Sequence, residues 1–185
     1  MAKIGVQNFL YGVLTESGDT VTYGVGKKPG KAVSCNVSIS SNDAKLYADD
    51  GLAESDTSFQ SGTVSIELDN ADLTTQADLL GHSIAGNIIT RKATDVAPYV
   101  GLGRIITKMV NGTLEYKVEF LSKVKFSEPS QENTTKGESV EFGTTTLEGI
   151  VSTLADGTWS KAETFDTLAG AKTYLTSLFG TTPSA

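Results

Sequence analysis

The sequence predicts a mainly β domain: a sandwich or barrel of about eight strands with one short flanking helix, a long hairpin arm and a C-terminal helix. Three observations predict it. Apolar and polar residues alternate with a period of two at 33–39 and again at 64–68, the spacing of half-buried strands. Glycine occurs 19 times and charged helix formers are few. Helical spacing is confined to two short stretches, 73–80 and 168–179.

The elements follow in order. The apolar run 9–14 pairs with 21–25 through the turn Glu16-Ser17-Gly18-Asp19. Residues 26–31, with Pro29 and Gly30, make a turn. Val33, Cys35, Val37 and Ile39 face inward from one strand, and Val64, Ile66 and Leu68 from another. Asp72 is a good N-cap, Leu73, Ala77 and Leu80 share a face, and Gly81 supplies the stop, so a helix spans 73–80. Strands resume at 88–92, 99–107 and 114–126, the last two joined by Asn111-Gly112. In the last, Tyr116, Val118, Phe120, Val124 and Phe126 share one face. A polar loop covers 127–138. Val140 and Phe142 then start a strand whose inward face shifts to Leu147, Gly149 and Val151, which predicts a bulge near Gly143. Asp156-Gly157 turns the chain and Trp159 begins its final part. Leu168, Ala171, Leu175, Leu178 and Phe179 make a stripe for docking a helix on the domain. The β-domain is thus 1–154, and 155–185 is an extension with a helix.

The stretch 41–62 is far longer than a usual hairpin loop. It holds five acids (Asp43, Asp49, Asp50, Glu54, Asp56) against Lys45, a net −4 within a chain of −7. It also keeps Leu46, Tyr47, Leu52 and Phe59, which a disordered linker is not expected to carry. An acidic, partly apolar arm predicts packing on a neighbouring subunit. The arm is expected to order only on docking, with Leu52 and Phe59 as anchors and the Lys27, Lys28 and Lys31 cluster as a candidate receiving patch.

Composition narrows the function. A pI near 4.7 argues against tight binding to a phosphate backbone. The single cysteine, Cys35, precludes an internal disulfide and reads as a small hydrophobe. No signal peptide or membrane-length run is visible, which predicts a soluble protein of a reducing cytoplasm. Catalytic patterns fail on inspection. Gly81-His82-Ser83-Ile84-Ala85-Gly86 has Ala85 where a nucleophile elbow needs glycine, and a helix where it needs a strand. Residues 26–31 lack both the early glycine and the Ser or Thr of a phosphate loop. The acids of the arm lack the EF-hand spacing, although an irregular calcium site stays open. No enzyme and no cofactor is expected.

Four segments carry a family likeness. They are Tyr47-Ala48-Asp49-Asp50-Gly51; Asp72-Leu73 with Leu80-Gly81-His82; Ala97-Pro98-Tyr99-Val100-Gly101-Leu102-Gly103; and Lys136-Gly137-Glu138-Ser139-Val140-Glu141-Phe142. Their order and spacing resemble the major tail proteins, or tail tube proteins, of long-tailed bacteriophages, the siphovirus phi13-type group. The likeness spans roughly residues 2–154.

The resemblance implies the phage tail-tube fold and a virion structural protein assembled in the host bacterial cytoplasm. It implies homohexameric rings stacked into a tube, with tail terminator, tape measure and distal tail proteins as partners. DNA would pass through the lumen without specific binding, and no membrane is involved. The arm residues Tyr47, Asp49, Asp50, Leu52, Glu54, Asp56 and Phe59 would bridge subunits. The alternatives are a tube protein of a tail-derived bacteriocin or secretion machine, and a carbohydrate-binding β-sandwich, which the single tryptophan disfavours.

Overall fold

Antiparallel pairing between segments far apart in the chain organises the structure. The computed structural model describes residues 2–18, 20–48, 51–129 and 143–180, with backbone alone at 46–48 and 51–53. The strands are β1 (Ala2–Ser17), β2 (Thr20–Tyr23), β3 (Ala32–Ser41), β4 (Ala44–Ala48), β5 (Gly51–Asp56) and β6 (Phe59–Leu68). After helix α1 (Leu73–Leu80) come β7 (Ser83–Ala85), β8 (Ile88–Thr90), β9 (Tyr99–Val110), β10 (Thr113–Phe126), β11 (Thr145–Ser152) and β12 (Ser160–Phe165). Helix α2 (Leu168–Ser177) follows. The main sheet has eight strands in the order β2-β1-β9-β10-β11-β6-β3, with β12 on β10. β4-β5 and β7-β8 form separate two-stranded sheets. Among the described residues no helix is long and apolar enough to cross a membrane.

The sheet forks along β10. Its first half pairs with β12 (Tyr116 opposite Phe165, Leu121 opposite Ser160), and its second half pairs with β11 (Lys123 opposite Ser152, Phe126 opposite Gly149). A register shift between Leu121 and Val124 lies at the fork. An extra residue in a strand reverses which face its neighbours occupy. Tyr116, Val118 and Phe120 therefore face α2, whereas Leu121, Val124 and Phe126 join the main core. The single face expected for Tyr116 through Phe126 is thus two faces. β1 does the same between Gln7 and Leu10, where Asn8 has a positive φ of 53°. Val6 before the shift and Phe9 and Tyr11 after it all pack on the main core. Asparagine tolerates that left-handed backbone better than most residues.

Two cores result. The larger gathers Tyr11, Val64, Ile66, Leu68, Leu102 and Leu147 under α1, and β3 curls back near β1. The smaller lies under α2, where Ala171, Leu175 and Phe179 cover Ile105, Val118 and Phe120. The segment placed in an extension beyond 154 therefore supplies a strand of the main sheet and the lid of the second core. Strands β7 and β12 go beyond those the sequence pattern predicts. The helix α2 docks as its stripe predicts, with Thr167 as N-cap.

Local signals held in several places. Helix α1 starts at the Asp72 cap, which accepts from Thr75 N at 2.6 Å, and stops at Gly81 with φ 78°. Its buried face is Thr75, Ala77, Leu79 and Leu80, and Leu73 is exposed, because the face turns further around the helix than expected. Asn111 and Gly112 both have positive φ, as a tight hairpin turn requires. Val33 is bulged out of β3 between Ala32 and Ser34 and is 56% exposed. Residues 26–31 are more than a turn: Tyr11 and Lys27 exchange backbone hydrogen bonds, so the segment runs beside β1. The expected strand start at Val140 and Phe142 lies outside the described residues.

Candidate assembly interface

The arm leaves the main sheet between Ser41 and Phe59 as the β4-β5 hairpin. Its root is tied by a polar clasp. Asn42 N donates to Ser58 O at 2.8 Å, and Asn42 Nδ2 donates to Asp56 Oδ2 at 2.7 Å. Asp56 Oδ1 accepts from Ser58 N at 2.9 Å. The Ser58 amide, then the Asn42 side chain, hold the Asp56 carboxyl below the usual aspartate range. Asp56 is thus a structural acid at the root. Phe59 stacks flat on Trp159, with centroids 4.9 Å apart and planes 9° from parallel. Asp43 pairs with Lys45 at 2.8 Å, and Glu54 is exposed. Asp49 and Asp50 and the side chains of Tyr47 and Leu52 lie outside the described residues.

The receiving patch expected at Lys27, Lys28 and Lys31 is partly engaged within its own chain. Lys27 Nζ donates to Asp78 Oδ2 at 2.6 Å, and the same oxygen accepts from Tyr11 Oη at 3.1 Å. Burial, then the Asp78 charge, push the Tyr11 hydroxyl pKa well up. Lys28 and Lys31 line a shallow cleft beside Val6 and Phe9. Lys31 N donates to Asp69 Oδ1 at 2.9 Å, which ties that segment to the end of β6.

The side chain of His82 is buried, 4% exposed, whereas its sequence context reads as an ordinary turn. Its Nδ1 faces Asp95 Oδ2 at 2.8 Å, and the Glu128 carboxylate lies close to Nε2 without hydrogen-bond geometry. Lys92 N, then His82, lower the Asp95 carboxyl. The imidazole joins the 81–98 segment to the loop after β10. Ser83 is exposed on β7, the first strand after α1. Among the described residues no group of three or more His, Cys, Asp or Glu could hold a metal ion.

Sequence reading missed the clasp and the position of Trp159. The clasp had a signal, since Asp56-Thr57-Ser58 is an aspartate capping its own chain two residues on. Trp159 had none, because its partner lies 100 positions earlier. What the geometry offers is surface: a hairpin tied at its root, and exposed apolar residues such as Ile88, Val96 and Ile150. Compared with protein-family models and with curated proteins, the sequence finds no match.

Proposed function

We propose that this protein is the structural subunit of a long non-contractile bacteriophage tail, stacking hexameric rings into the tube that delivers DNA. The observation that carries the reading is the β4-β5 hairpin, an acidic arm that pairs with itself and stands apart from the main sheet. A hairpin of this kind gains little by lying on its own negatively charged domain, and it suits a surface on another subunit. The family likeness of residues 47–51, 72–82, 97–103 and 136–142 supplies the identity of the assembly. The net charge of −7 fits a conduit that leaves phosphate unbound. The partners are then further copies of this chain, the tail terminator, the tape measure and the distal tail proteins. Mass photometry and negative-stain microscopy of the purified chain across concentration test it. Six-fold rings or tubes are expected. A strictly monomeric chain at high concentration, also with tail initiator components added, would refute it.

A further inference from the structure

We propose that the groove between β1, β3, β9 and β10 receives the acidic hairpin of a second copy of this chain. This deepens the self-assembly reading and rests on it. The groove is a cleft of about 240 Å³ whose charged lining is Lys3, Arg104, Lys108, Lys117 and Glu119. Four bases against one acid leave it three charges positive, in a chain that is −7 overall. Arg104 Nε donates to Glu119 Oε2 at 2.9 Å and Lys117 Nζ to Oε1 at 3.0 Å, so Glu119 is spent on those two.

Lys3 and Lys108 are direct cross-strand partners. Like charges so placed destabilise a sheet, and an arriving anion relieves them. Glu115, opposite Lys108 on the other side, offsets one of the pair. The rest of the lining is apolar: Val37, Ile39, Ile106, Leu121 and Trp159.

A lining of basic and apolar side chains matches an arm that carries acids among apolar residues, net −4 over 41–62. It matches nucleic acid poorly, because single-strand grooves stack bases on free aromatic faces and Trp159 is already stacked on Phe59. The arm of the same chain is clasped at its root by Asn42, Asp56 and Ser58, and β4 and β5 pair with each other, so the occupant is a neighbour's arm. The acceptor is this groove in preference to Lys27, whose ammonium is held by Asp78.

The test is a charge swap in the full-length chain, read by sedimentation velocity at low and high salt. Lys3→Glu/Lys108→Glu takes the groove from three charges positive to one negative, and Asp43→Lys/Glu54→Lys takes the arm from −4 to neutral. Each alone should weaken association by about tenfold or more. Mixed in equal amounts the two should associate again, since the acidic arm of the groove variant then meets the basic groove of the arm variant. Lys3→Gln/Lys108→Gln removes the like-charge pair, so it should fold at least as well as the parent and still associate more weakly. Unchanged association of the groove variants, or a mixture that fails to restore it, overturns the docking assignment and leaves self-assembly standing. Binding of short DNA that the groove variants lose also overturns it. A parent chain that never associates overturns both readings.

Discussion

Gly103 and Leu175 form a contact whose two sides can be exchanged. Leu175 of α2 is 1% exposed and rests on β9 where residue 103 has no side chain. A β-carbon at Gly103 would overlap Leu175 Cδ1 and lie 3.3 Å from Phe120 Cδ2. Leu175→Ala removes three buried carbons, and a leucine truncated in a core costs about 2–5 kcal/mol. Gly103→Ala overpacks the same spot at about 1–3 kcal/mol. In the double variant the new methyl occupies space the leucine vacated. The clash is gone, and alanine restricts the unfolded chain by about 0.4–1 kcal/mol relative to glycine. The double variant should therefore be no less stable than Leu175→Ala alone. The coupling energy should be about 1–3 kcal/mol in favour of the pair, where independent sites add to within about 0.5. Urea unfolding followed by Trp159 fluorescence gives all four corners of the cycle, provided the slopes agree. Additive effects, or a Leu175→Ala cost below about 1 kcal/mol, would show that α2 is loosely attached.

Two further outcomes are expected. Burial alone would raise the Glu119 carboxyl, but the Arg104 hydrogen bond and charge, then Lys117, hold it below the usual glutamate value of 4.5. The unfolded chain thus takes up this proton first; the stabilisation is whole above that value and is lost as pH falls through the lower folded pKa. Glu119→Gln should cost about 2 kcal/mol at neutral pH and flatten the acid limb of the urea midpoint. Asp72→Ala should cost about 1 kcal/mol by removing the cap on Thr75 N, and Asp72→Asn should recover most of it, as read by thermal unfolding.

Legibility in the sequence followed the range of the interactions. Helix α1 was readable to the residue because its cap, stop and buried Ala77 and Leu80 lie within ten positions. β3 and β6 were readable because one face of each is polar. β10 was misread at Phe120-Leu121, where adjacent residues are both apolar and period two has no phase to report. Only the register shift between Leu121 and Val124 decides that Val124 and Phe126 share the face of Leu121 and not that of Phe120. β12 carries Ser160, Lys161, Glu163 and Thr164 with little apolar alternation, because it is an edge strand held mainly through its backbone. At the candidate interface the arm's charge was visible in the chain. The groove was not, since Lys3, Arg104 and Lys117 come from three distant segments that only the sheet brings together.

The pairing of β1 with β9 sets a clock on synthesis. Val6 lies opposite Ile106, so the first strand of the chain waits for a partner made 100 residues later. At about 5–20 residues per second that wait is roughly 5–20 s, during which only the end of β1, from Leu14 to Ser17, has a ladder to join, with β2. Closure of the second core needs Leu175 and Phe179, near the end of the chain. A nascent chain thus lacks its β1-β9 seam, and with it the Lys3-Lys108 side of the groove, until β9 has been made. Under the proposed assembly, copies emerging from neighbouring ribosomes would be kept from joining by their own incompleteness.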